Sequence, residues 1–132
     1  MARLTPKSSE RTPDFLPHVL RIGTIAADYK AIDLRAYDVR DLTLIADSFV
    51  ICSAASEPQF KAIANGIRDR MKKAGVRLLR SEGEPRGGWR VLDYGIVIVH
   101  IFREEARAFY DLDGLWGDAP AIDLGSSEKP ER

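Results

Sequence analysis

The chain has 132 residues, 45% of them apolar, with 20 basic and 20 acidic side chains that cancel. That length gives one domain, and area scaling lets it bury about two-thirds of its surface without disulfides or a structural metal. The balanced charge and a pI near 6.7 exclude bulk polyanion steering of the kind basic nucleic-acid modules use. A single cysteine, Cys52, rules out an internal disulfide and reads as a small buried hydrophobe within Phe49-Val50-Ile51-Cys52. No apolar stretch approaches membrane-spanning length, and the first residues lack a secretory h-region, so the expected compartment is the cytoplasm.

Residues 1–17 contain Pro6, Ser8, Ser9, Pro13 and Pro17 with few apolar groups, and read as a flexible tail. Residues 119–132 end in a polar run and read the same way, leaving 18–118 as the expected folded body. From His18 to Lys30, Val19, Ile22, Ile25, Ala26 and Tyr29 recur at helical spacing. Residues 31–39 then alternate, with Ile32, Leu34 and Ala36 against Asp33, Arg35 and Tyr37, as a half-buried strand does. After a broken loop, residues 47–52 form an apolar run that fits a strand buried on both faces.

Ser56-Glu57-Pro58-Gln59 is a capping box: the serine hydroxyl accepts from the Gln59 amide and the glutamine side chain reaches back. The helix that follows carries Phe60, Ile63, Ala64, Ile67 and Met71 on one stripe and Lys61, Arg68, Arg70, Lys72 and Lys73 on the rest. Gly75 ends it. Residues 76–79 read as a short third strand and 82–88 as a turn or flexible loop. Trp89–Asp93 and Ile96–Phe102 are rich in β-formers and are joined by a Tyr94-Gly95 hairpin turn, the second strand being apolar enough to lie centrally. A last helix runs from Glu104 to Trp116. The expected fold class is α/β, a mixed sheet of about five strands packed with three helices.

No phosphate loop or nucleophile elbow occurs, and the two histidines, His18 and His100, make a poor metal pair. Asp38, Asp41, Asp47 and Asp93 fit turn and strand-end caps. Asp47, Asp93 and His100 together would be the machinery of a rival reading, a metal-dependent nucleotidyltransferase-like or phosphohydrolase enzyme. His100, between Val99 and Ile101, reads as a buried neutral histidine. Trp89, Tyr110 and Trp116 suit either core packing or docking, being large rings with a polar edge. The cations of residues 68–73 read as a solvated helix face, with direct RNA binding as a second rival.

Trp89-x-x-Leu92-Asp93-x-Gly95, Val97-x-Val99-His100-x-Phe102 and Glu105-x-Arg107-x-x-Tyr110-x-Leu112-Asp113-x-Leu115-Trp116 resemble the ribosomal silencing factor, or Iojap-like, family. Asp47-Ser48-Phe49-Val50-Ile51 and Ser56-x-x-Gln59-x-x-Ala62-Ile63 fit the same pattern, and the likeness covers residues 20–118. The resemblance implies a nucleotidyltransferase-like fold without the active-site set, no enzyme activity and no cofactor. It implies a translational repressor that docks on a large-subunit ribosomal protein at the subunit interface, the fourteenth of the large-subunit series, and blocks joining of the small subunit. It also implies a homodimer when free, no membrane, and no sequence-specific nucleic-acid binding. On this resemblance the docking residues are Trp89, Leu92, Asp93, Tyr110, Leu112, Asp113 and Trp116. Three positions depart from the family pattern: Ile96 stands where an aspartate is usual, Asp113 replaces glutamate, and Gly114 replaces a helix-favouring residue.

Overall fold

A computed structural model describes residues 14–124. Helix α1 (Leu16–Asp28) precedes strands β1 (Ile32–Asp38) and β2 (Ser48–Ala54), and helix α2 (Glu57–Lys73) follows. Strands β3 (Arg80–Glu84), β4 (Trp89–Asp93) and β5 (Val97–Arg103) lead into two short helices, α3 (Glu104–Tyr110) and α4 (Leu112–Leu115). The five strands form one mixed sheet in the order β1-β2-β5-β4-β3, parallel only between β2 and β5. The expected α/β class and five-stranded mixed sheet are what the chain adopts. Strand β5 lies in the middle of the sheet, as its apolar run predicts, and β2 is buried at every position.

The sheet's two faces collect different residues, because side chains alternate along each strand. Ala36, Val50, Cys52, Ala54, Leu92, Val97, Val99 and Ile101 meet α1 and α2 in the larger core. Tyr37, Phe49, Ile51, Ile98 and Phe102 face the other way, toward Leu112 and Ala119. Two details fix α2 against α1. Ser56 Oγ accepts from the Gln59 amide at 3.2 Å, as the capping box requires. The Gln59 side chain reaches one residue further back than expected, its Oε1 accepting from Ala55 N at 2.7 Å while its Nε2 donates to the carbonyls of Tyr29 and Lys30. At Gly66 the Tyr29 ring fills the space a Cβ would need, with ring carbons 2.2 and 2.6 Å from that position.

Four expectations need correction. Residues 76–79 are not a strand: Gly75, at φ 83°, reverses the chain, and Val76 and Leu78 pack on the core as a connection. The third strand is instead β3, which starts at Arg80 and runs into the segment expected to be a loop, paired with β4 from Arg80–Asp93 to Glu84–Trp89. Its polar residues escape a hydrophobic pattern because an edge strand has only one strand neighbour and tolerates charge. The last helix breaks at Asp111, which takes a left-handed conformation (φ 50°, ψ 48°) and caps α4 by accepting from Gly114 N at 3.1 Å. The packed body also exceeds 18–118. Phe15 is 1% exposed, Ala119 is buried, Ile122 and Leu124 lie on the larger core, and Ala121 bridges to Tyr37. The rest of the two expected tails, 1–13 and 125–132, lies outside the described residues.

Candidate docking site

The sheet face opposite α1 and α2 is roofed at one end only, by α3 and α4. Strand β4 places Trp89, Val91 and Asp93 on this face, where they oppose Phe102, His100 and Ile98 of β5. The Trp89 ring lies 5.1 Å from Phe102 and 4.5 Å from Tyr110, centroid to centroid, and is half-buried between them. Its Nε1–H donates to His100 Nδ1 at 3.2 Å. That bond places the neutral imidazole proton on Nε2, which has no hydrogen-bond partner. Burial pushes the His100 pKa down to about 4, so the ring is neutral at ordinary pH.

Next to this cluster the apolar surface turns outward. Tyr110 is 45% exposed, Leu115 70% and Phe109 79%. The Phe109 ring meets Tyr110 edge-on at 5.0 Å. Trp116 is half-buried and packs edge-on against Phe49 at 5.2 Å. In the loop before β2, Leu42, Leu44 and Ile45 are exposed, and Ile45 lines an open cleft of about 430 Å³ with Phe49, Val91, Ile98 and His100.

Arg107 holds the roof in place. Its side chain is 10% exposed and forms a two-pronged pair with Asp113, Nε to Oδ1 at 2.9 Å and Nη2 to Oδ2 at 3.0 Å. Nη1 donates to the Asp33 carbonyl at 2.8 Å and to Ser53 Oγ at 2.9 Å. Asp33 sits at an irregularity in the β1–β2 register with φ 51°. Tyr37 Oη donates to Asp113 Oδ2 at 3.1 Å. Burial alone raises the Asp113 carboxyl pKa, but the Arg107 hydrogen bonds and charge, with Tyr37 and the Arg35 charge, bring it below the usual range. The Tyr37 hydroxyl is shifted upward, first by burial and then by the Asp113 charge. A planar guanidinium that reaches β1, β2 and α4 at once fixes the tilt of the two helices.

The expected docking residues therefore divide. Trp89, Tyr110 and Trp116 gather on one face and reach its surface. Leu92 does not join them: alternation turns it into the opposite core, where it is fully buried. Leu112 is 9% exposed and anchors α4 from beneath. The Asp113 carboxylate is engaged by Arg107 and Tyr37, and the Asp93 Oδ1 accepts from Gly95 N at 2.8 Å to close the hairpin turn. The acids that stay exposed near the rings are Glu104, Glu105 and Asp111. Asp93 and His100 share the cleft; Asp47 is not among its lining residues. Among the described residues no group of three His, Cys, Asp or Glu is arranged to hold a metal ion, and no helix is long and apolar enough to cross a membrane. Sequence reasoning missed Phe109 and Leu115 because a continuous helix would have turned part of that stripe inward. It missed Leu44 and Ile45 by passing over their loop, where three apolar residues in four were the available signal.

Comparison with known proteins identifies the family. A family model described as "Ribosomal silencing factor during starvation" matches residues 12–132. The ribosomal silencing factor RsfS of Bacillus subtilis is 40% identical over 107 residues, 80% of this chain and 91% of that protein. The chloroplastic protein Iojap of Zea mays is 35% identical over 109 residues, 83% of this chain and 47% of that longer protein. A crystal structure of a Chromobacterium violaceum protein superposes with a TM-score of 0.69 at 31% identity, covering 85% of this chain and 97% of that one. The chain belongs to the ribosomal silencing factor family.

Proposed function

We propose that this protein represses translation by docking on the large ribosomal subunit and blocking, through its own volume, the approach of the small subunit. The contact is a ribosomal protein on the intersubunit face, the fourteenth of the large-subunit series. Phe109, Tyr110 and Leu115 protrude beside the half-buried Trp89, and this exposed aromatic ridge is the observation that carries the reading. Large rings seated on a rigid base bury much area at small entropic cost, which is the character of interface hot spots. Glu104, Glu105 and Asp111 border the ridge and complement a basic partner, so charge speeds and orients docking while the rings set the lifetime of the complex. Trp116 adds its edge to the ridge, and Asp93 contributes its carboxylate at the cleft. Leu92, Leu112 and Asp113 act from behind, shaping the surface they support. No bond is made or broken, and the protein works in the cytoplasm as a regulator, not as an enzyme.

Titrating purified large subunits with the Trp89→Ala and Tyr110→Ala variants tests the assigned ridge. Each costs about 2 kcal/mol or more of binding, about thirtyfold, with folding intact by circular dichroism. Unchanged affinity in both removes the ridge from the account. Added in excess, the wild-type chain slows association of purified subunits in light scattering; an ordinary joining rate refutes the repression mechanism. In the absence of ribosomes the same ridge pairs two copies, and Phe109→Glu shifts the sedimentation coefficient to that of a monomer.

A further inference from the structure

The opposite side of the molecule, the outer surface of α2, carries a concentration of charge that docking through the ridge does not use. Two grooves flank the second half of this helix. One, of about 470 Å³, is lined by Asn65, Arg68, Asp69, Lys72, Arg77 and the apolar pair Val76 and Leu78. The other, of about 270 Å³, has Arg21, Arg70 and Lys73 on its walls. Six cations therefore share this surface. Asp28 pairs with Arg70 at 2.8 Å and Asp69 with Lys73 at 3.5 Å, which leaves a local excess of four positive charges on a chain whose total is zero.

The helix dipole accounts for Arg70, Lys72 and Lys73 in the last turn, but not for Arg21, Arg68 and Arg77, which come from α1, an earlier turn and the connection after Gly75. Among the described residues the side chains of Arg68, Lys72 and Arg77 make no ion pair or hydrogen bond, although all three line one groove. Guanidinium groups left without a carboxylate offer paired donors to phosphate oxygens. The stretch from Asn65 to Lys73 rises about 12 Å along the helix, longer than one phosphate and suited to successive ones.

We propose that the α2 face binds the phosphate backbone of a single-stranded nucleic acid, without reading its sequence. The site is independent of the ridge and lies across the sheet from it. The apolar groups of the two grooves, Val76 and Leu78 in one and Ile25 and Ala74 in the other, are too few to hold a lipid surface. Guanidinium forks match carboxylate as well as phosphate, so it is the run of cations along the helix, suited to successive phosphates, that favours a polynucleotide, with an acidic peptide as the competing outcome of the test.

The test is fluorescence anisotropy of labelled oligouridylate and oligothymidylate with the full chain, in the absence of ribosomes, between about 50 and 200 mM salt. Both strands bind, and log affinity falls with log salt at a slope of about −2, as three phosphate contacts on a single strand require. The double variant Arg68→Glu/Arg77→Glu loses at least about tenfold, whereas Arg80→Glu/Arg86→Glu, with the same change of net charge elsewhere, stays within about twofold of wild type. Equal losses in the two variants, no binding at about 50 mM salt, or polyglutamate competing as well as the oligonucleotides overturns the proposal. Because ribosomes are absent, this outcome is separate from the fate of the docking reading.

Discussion

The two faces of the sheet are covered by unequal amounts of helix. One carries α1 and α2, of 13 and 17 residues; the other carries α3 and α4, of 7 and 4. The first face is sealed, and its residues do little beyond packing. The second seals only the end that Arg107 clamps and leaves rings and aliphatic side chains in solvent. The buried side of the α1–α2 layer thus gives stability, the open face carries the ridge proposed for docking, and the short helices serve as its mount. So small a roof stays in place through a stiff attachment, which the Arg107 guanidinium supplies.

The clamp offers the sharpest way to break this contrast. Arg107→Ala strands the Asp113 carboxylate against the sheet and lowers unfolding stability by about 3–5 kcal/mol in urea titrations. A loss under about 1 kcal/mol would mean that the roof does not depend on it. Substitutions on the two faces sharpen the comparison further. Ile101→Ala, in the sealed core, costs about 2–5 kcal/mol through lost burial and a cavity. Acidity gives a third measure. The folded His100 pKa lies near 4, below the unfolded value of about 6.5, so the unfolded chain takes up its proton first as pH falls. The stability tied to the neutral ring is complete above pH 6.5 and is lost between there and about 4, on the order of 3 kcal/mol in total. Comparing denaturation midpoints at these two pH values for wild type and His100→Leu checks it, since the variant lacks this part of the slope. The smallest effect belongs to the exposed rim: Phe109→Ala and Leu115→Ala change stability by no more than about 0.5 kcal/mol while weakening docking.

Much of the sealed face was legible in the sequence. The helical stripe from Phe60 to Met71 and the apolar run of β5 each need a burial partner, and local periodicity reports that need directly. The edge strand β3 was hidden, because its pairing with β4 is specified by backbone bonds and its side chains show no hydrophobic alternation. The open face was harder still. Resemblance pointed to Trp89 and Tyr110, but the turn at Asp111 that exposes Phe109 and Leu115 depends on a left-handed residue whose side chain caps the next turn. Leu92 was misplaced although the alternation of β4 puts it opposite Trp89 and Val91; reading a motif as a block overlooked that parity. Arg107 gave no local signal, since its partners Asp33 and Ser53 lie 74 and 54 positions away along the chain.

The notch at Gly66 sets how the two long helices can lie against each other. With the Tyr29 ring seated against bare backbone, the two long helices are indexed like a key in its ward. A methyl added there would meet the Tyr29 ring well inside contact distance, so admitting it would mean swinging the ring out of its seat or spreading the two helices.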